Sequence, residues 1–276
     1  MLASIKDCTV LNNNVKMPWL GLGVFKMKEG DETENALRAS LDCGYRSIDT
    51  AAIYRNEESV GRAIQNSGIP RDELFITTKV WNSDQGYETT LKAFDESRKK
   101  LQLDIIDLYL IHWPVKGKYT ETWKALEKLY KDGTVRAIGL SNFLIHHIKD
   151  IQESCEIPPM VDQVEFHPQL RQADLYRYCR ENKIQLEAWA PLGQNRSLKN
   201  PTIVEVAETH EKSPAQILIR WDLQLDVVTI PKSSKAERIL ENSQVFDFSL
   251  DASDMDRISR LDENLRFSDD PDNFDF

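Results

Sequence analysis

Residues Leu74 to Trp113 read LFITTKVWNSDQGYETTLKAFDESRKKLQLDIIDLYLIHW. The stretch opens on LFITTKVW and closes on IIDLYLIHW, two runs rich in β-branched, aromatic and aliphatic side chains, the composition of buried strands. Between them, YETTLKAFDESRKKLQL carries apolar residues three and four apart, the period of a helix face. Two near-continuous apolar strands joined through a helix make a parallel crossover unit, because both faces of such a sheet are covered.

The same alternation recurs on either side. Strand-like runs begin at Leu20 (LGLGVFK), Gly44 (GYRSIDTA), Val135 (VRAIGLSNF), Met160 (MVDQVEFHP), Ile184 (IQLEAWAPLG) and Asp226 (DVVTIPKS), which with the opening pair makes eight. TENALRASLDCG and TWKALEKLYKDG read as helices, with Gly44 and Gly133 at their stops. Eight strand–helix units in a chain of 276 residues predict an α/β fold of the (β/α)₈ TIM-barrel type. CTVLNNNVKMPWL predicts an N-terminal β-hairpin that plugs the barrel's bottom, and KAERILENSQVF and DASDMDRISRL predict extra C-terminal helices. No linker or low-complexity break interrupts residues 1–276, so the chain reads as one domain. An open doubly wound sheet is the rival. Its glycine fingerprint is absent, since Gly21-Leu22-Gly23 is followed by Lys26 where a third glycine belongs.

The formal net charge is −10, from 35 basic and 45 acidic residues, which disfavours a nucleic-acid groove or an anionic membrane surface. Cys8, Cys43, Cys155 and Cys179 are scattered, the pattern of free thiols. MLASIKDCTV lacks the apolar core of a signal peptide, and no apolar run is long enough to span a bilayer. A cytoplasmic, monomeric protein is expected, without nucleic-acid or membrane partners.

In a barrel of this type the active site lies at the C-terminal ends of the strands. The runs end in Asp49, Lys79, His112, Ser141 with Asn142, Gln163 with Glu165, Trp189, and Lys232 with Ser233. Each alone has a bland reading: Asp49 as a helix cap, Lys79 reaching solvent, His112 a satisfied buried histidine. Together they fall on one rim. Asp49 and Lys79 lie on neighbouring strands and form an ion pair there. Tyr54, in the loop before the expected helix cap Asn56, hangs its phenol over the same pocket. The ammonium lowers the phenol's pKa, and His112 hydrogen-bonds a substrate oxygen. That set is a proton donor aimed at an oxygen turning negative, as reduction of a carbonyl by hydride requires.

GYRSIDTAAIYRNEESVG, ITTKVW, DLYLIHWP, RAIGLSNF, QVEFHP, APLG and IPKSSKAERILENSQVFDF carry a resemblance to the aldo-keto reductases over essentially the whole chain. It is nearest the short prokaryotic-type members, which include glyoxal and diketogluconate reductases and a trypanosomatid prostaglandin F synthase. The resemblance implies a (β/α)₈ barrel and reduction of a small-molecule aldehyde or ketone, dicarbonyls such as methylglyoxal among them, by NADPH. It implies Tyr54 as proton donor, Asp49 and Lys79 tuning it, and His112 orienting the carbonyl. It puts Ser141, Asn142 and Gln163 on the nicotinamide carboxamide and Trp189 against the ring. Gly23, Val24 and Asp49, then Ala190, Pro191 and Leu192, then Ile230 and Pro231, are further cofactor contacts. Lys232, Ser233, Ser234 and Arg238 would take the adenosine 2′-phosphate, and Glu241 with Asn242 the adenine. NADPH is therefore expected over NADH.

Two positions depart from the family pattern. Ala190 stands where many relatives have Ser, and Val24 where Thr is common, which bears on cofactor affinity. Phe25, Trp81 and Trp113 are expected to line the substrate pocket with His112. Short loops after Trp113 and Gly193, and a tail of ten residues after Arg266, predict an open pocket. Trp19 packs below the barrel, and Lys116 and Lys118 belong to a solvated loop. Adjacent His146 and His147 point apart on a helix, and His167 and His210 lack partner spacing, so no metal is expected. The alternatives are a catalytically silent NADPH-binding regulatory subunit on the same barrel, and a Schiff-base isomerase or aldolase acting through Lys79.

Overall fold

The computed structural model describes residues 2–276. β1 (Cys8–Val10) and β2 (Lys16–Pro18) form an antiparallel hairpin. The parallel strands β3 (Gly21–Gly23), β4 (Ser47–Asp49), β5 (Phe75–Val80), β6 (Ile106–Ile111), β7 (Val135–Ser141), β8 (Val161–Glu165), β9 (Gln185–Trp189) and β10 (Val228–Thr229) pair in chain order. A parallel bridge between Leu20 and Thr229 joins the two edges and closes the barrel. Every residue of β5 and β6 is buried, which is why their sequences run apolar without alternation.

The crossovers are α1 (Asp31–Asp42), α2 (Glu57–Asn66), α3 (Tyr87–Leu101), α4 (Tyr119–Lys131), α5 (Ile145–Gln152) and α6 (Ala173–Glu181), followed by α7 (Pro201–Thr209) and α8 (Pro214–Gln224). α9 (Ala236–Ser243) and α10 (Ala252–Ser259) follow the last strand, as the C-terminal sequence predicts. On α3 the buried residues are Thr90, Phe94, Ser97 and Leu101, one face at helical spacing, and Arg98, Lys99 and Lys100 sit favourably at its carboxyl end. Gly61 lets α2 approach the end of α3: a β-carbon there would lie 2.6 Å from the Leu101 carbonyl oxygen. No described helix is long and apolar enough to cross a membrane.

Two local expectations need correction. Asn56 is the residue before α2, but its side chain does not cap it. It turns inward, accepts from the Thr50 hydroxyl at 2.8 Å and donates to the Val24 and Met27 carbonyls at 3.0 and 3.2 Å. This braces the loop that carries Tyr54 against the strand β3 exit. The C-terminal tail is also no loose end. Phe276 stacks on Trp81 and packs edge-on to Trp113, and its carbonyl oxygen accepts from Asn82 at 3.0 Å.

Candidate active site

The polar strand ends converge as expected. Parallel pairing sets Gly23 beside Asp49, Ser141 beside Gln163 and Gln163 beside Glu187 at one mouth of the barrel. A cavity of about 910 Å³ opens there, within the range of small-molecule sites. Asp49, Tyr54 and His112 line it, with Ser141, Asn142, Gln163 and Trp189. Ala190, Pro191, Leu192, Ile230 and Lys232 continue one side, and Phe25, Trp81, Trp113 and Phe276 form an aromatic wall.

Lys79 lies beneath, fully buried. Its Nζ donates to Asp49 Oδ1 at 2.6 Å and to the Thr50 carbonyl at 2.9 Å. Burial pulls its pKa down, but the Asp49 carboxylate, with smaller help from Tyr54 and Glu187, more than offsets this and holds the ammonium charged, above its ordinary pKa. A charged Lys79 argues against a Schiff-base amine. The same nitrogen sits 5.2 Å from the centre of the Tyr54 ring.

Tyr54 ends the short turn Ala52–Tyr54, after which Arg55 takes a left-handed conformation that breaks the chain into α2. Its ring packs on Phe25 and meets His112 edge-on, with centres 5.0 and 5.7 Å away. The lowering of the phenol pKa expected from Lys79 is present but outweighed. Burial pushes it up to about 12, Lys79 pulls back only part of that, and Asp49 adds to the rise. The proton is therefore firmly on the phenol at neutral pH. His112 is held well below its ordinary pKa by burial and then by the Lys79 charge, so its imidazole is neutral. Its Nδ1 is buried without a partner.

Two amides assigned to the cofactor are already engaged. Asn142, itself left-handed, donates to the His112 carbonyl at 2.9 Å and accepts from Trp189 Nε1 at 2.9 Å, so it orients both neighbours. Gln163 Nε2 donates to Asp49 Oδ2 and to Glu187 Oε2, each at 2.8 Å, leaving its carbonyl oxygen for a ligand. Val24 does not reach the cavity. Its side chain is fully buried, and its amide donates to the Asp49 carbonyl. Lys232, on the cavity lining, and Arg238, in the first turn of α9, are exposed and in no ion pair among the described residues. Glu241 and Asn242 lie further along α9, and Asn242 is buried.

A buried acid not singled out by sequence completes the surroundings. Glu187, buried on β9, is pushed up to about 8 by burial and by the Asp49 charge. Its signal was there: an acid inside an apolar strand, two residues before Trp189 and so on the same face. Glu165 does not face the ligand space; its Oε1 accepts from the Phe267 amide at 2.7 Å and meets His167 Nε2 at 3.1 Å. Phe267 stacks on His167 and carries Arg196 over its other side.

The histidine reading is corrected too. His167 pairs with Glu165 and His210 with Asp254. His146 and His147 converge, with Nε2 atoms 2.9 and 3.2 Å from Asp272 Oδ1 in the tail. His147 Nδ1 accepts the Leu144 amide proton at 3.2 Å, so its Nε2 carries the ring proton toward Asp272. That cluster is a hydrogen-bonded clamp on the tail, and His147 keeps no lone pair for a metal.

The sequence profile of the Aldo/keto reductase family matches residues 19–263. The chain is 58% identical to a glyoxal reductase of Bacillus subtilis (strain 168), over 99% of each chain. It is 54% identical to a 9,11-endoperoxide prostaglandin H2 reductase of Trypanosoma cruzi (strain CL Brener), covering 97% of this chain and 96% of that one. A crystal structure of a Gox0644 variant in complex with NADPH superposes with a TM-score of 0.93 at 42% identity, over 98% of each chain.

The site's ion pair yields a direct expectation for stability. Lys79→Met strands the Asp49 charge in the interior and lowers unfolding stability by about 3–5 kcal/mol. Adding Asp49→Asn to that variant restores part of the loss, read as the urea midpoint.

Proposed function

The chain belongs to the aldo/keto reductase family and is an NADP-dependent oxidoreductase that reduces carbonyls; from that premise we propose that Tyr54 supplies the proton to a small dicarbonyl substrate of the glyoxal type. The observation that carries this is the buried Asp49–Lys79 pair under a phenol whose ring meets neutral His112 edge-on at the cavity. NADPH, when bound, supplies hydride to the carbonyl carbon. The protein groups handle the oxygen. His112 donates a hydrogen bond that orients the carbonyl, and Tyr54 gives up its proton as charge grows there. The Lys79 ammonium, fixed by Asp49, stabilises the phenolate left behind.

The residues fit the cofactor. Trp189 is tethered by its ring nitrogen and only partly buried, so one face is free for the nicotinamide. Ser141 and the Gln163 carbonyl oxygen remain to hold its carboxamide. Lys232 and Arg238, with Ser233 and Ser234 between them, form an unneutralised cationic turn in an acidic chain, which suits the 2′-phosphate. Glu241 and Asn242 take the adenine. Phe25, Trp81 and Trp113 bound the substrate, with Phe276 narrowing the space that short loops were expected to leave open. The glyoxal reductase relative favours a compact dicarbonyl, and the aromatic wall also admits aryl aldehydes.

A monomer in the cytoplasm is inferred from the free thiols and from exposed apolar side chains that are scattered rather than gathered, such as Val10, Ile105 and Leu240. Light scattering at the 31.9 kDa of one chain is expected, and a dimer mass would refute it.

Two kinetic expectations follow from the site. Tyr54→Phe lowers kcat for methylglyoxal by at least about 10²-fold while NADPH fluorescence titration shows unchanged binding. NADPH binding by the native chain without turnover of any carbonyl would move the regulatory reading to the front. Lys232→Met with Arg238→Leu raises KM for NADPH by about tenfold or more and leaves that for NADH nearly constant; equal loss for both cofactors would remove the phosphate assignment.

A further inference from the structure

Glu187, buried on β9 two residues before Trp189, is an ionisable group that the chemistry above does not use. It is 1% exposed and stands directly across from Gln163 in the β8–β9 register. Its Oε2 accepts from the Gln163 nitrogen that also serves Asp49, and its Oε1 is buried with no partner. An anion with an orphan oxygen, sharing one amide with a second carboxylate, is poorly solvated, and the neutral acid loses far less by burial.

The charged and titratable groups that bear on it are Asp49 from β4, Lys79 from β5 and Tyr54 from the turn after β4. The neighbouring strands β8 and β10 offer uncharged Gln163 and Val228 at its register positions. Asp49 opposes ionisation of Glu187 and Lys79 favours it. In turn, a charge on Glu187 tightens Tyr54's hold on its proton. With Glu187 neutral, Asp49 and Lys79 balance beneath the phenol. With it ionised, the site carries one excess negative charge.

We propose that Glu187 is a positioning residue controlling proton transfer from Tyr54: bridged to Asp49 through Gln163, it is neutral during reduction, and its ionised form opposes the phenolate that the transfer leaves. The inference rests on the reading of Tyr54 as proton donor. In that step the Tyr54 O–H bond breaks as the proton bonds to the substrate oxygen, and the phenolate is reprotonated from solvent.

The sign is fixed by the geometry. Glu187 loses its proton as pH rises, so reduction weakens on the alkaline side. At saturating NADPH, native kcat/KM for methylglyoxal is expected to fall about tenfold between about pH 7 and about pH 9.5, one unit's worth of proton affinity. Glu187→Gln, which keeps shape and cannot ionise, should fall no more than about threefold over that range. Glu187→Asp should restore the alkaline limb. The infrared difference between the native chain and Glu187→Gln at about pH 6.5 should show a protonated-carboxyl band, with buried Asp162 and Asp222 cancelling in the subtraction. No such band, or an alkaline limb as steep in Glu187→Gln as in the native chain, overturns the proposal. Full activity in Tyr54→Phe would sink the proton-donor reading and the coupling with it, yet leave the band in place, so the two failures are told apart.

Discussion

The ion pair between Asp49 and Lys79 is the constraint on which the rest of the site hangs. An isolated ammonium in a barrel interior is costly, and Lys79 is wholly buried. Its proton is kept by a carboxylate 2.6 Å away on the neighbouring strand. That carboxylate is held in turn from across the barrel by Gln163, whose amide also reaches Glu187. Four strands thus contribute to one polar cluster inside an apolar wall. Tyr54 can sit above it only because Asn56, Thr50 and Val24 brace its loop from below.

The other end of the barrel shows how this chemistry differs from structural ionic packing. Asp107 on β6 is buried as deeply as Asp49. It is met by both Arg71 and Arg136 and by the Ile76 amide, so every oxygen is satisfied. At the mouth, His112 Nδ1 and Glu187 Oε1 are left without partners. Orphan atoms alone do not mark function, since Asp162 on β8 and Asp222 on α8 also have them. What sets the mouth apart is that His112 lines a cavity and Glu187 is joined through Gln163 to the Asp49 carboxylate beside it.

The tail joins this architecture through local chemistry. Glu165 pins the Phe267 amide, Asp272 is clamped by two histidines, and Phe276 closes against Trp81 and Trp113. Segments far apart in the chain thereby build one wall of the cavity.

The fold was legible from sequence because parallel strands buried on both faces must be apolar along their length, and crossover helices must show a helical stripe. That pattern survives in the order of residues. The rim groups Asp49, Lys79, His112 and Trp189 were legible for the same reason: polar residues at the ends of apolar strands stand out. Tyr54's proton affinity was not, because desolvation depends on what covers the phenol, and Phe25 and His112 meet it only in three dimensions. The hydrogen bonds that Gln163 and Asn142 make within the protein were not legible, because an amide's partners are set by neighbours across strands. Asn56 turned inward, and His146 and His147 converged on Asp272, for the same reason. The order of residues by itself determined the barrel and which side chains reach its mouth. Only the tertiary structure decided which of them are spent on one another, because burial and hydrogen-bond partners are properties of the surroundings rather than of the chain.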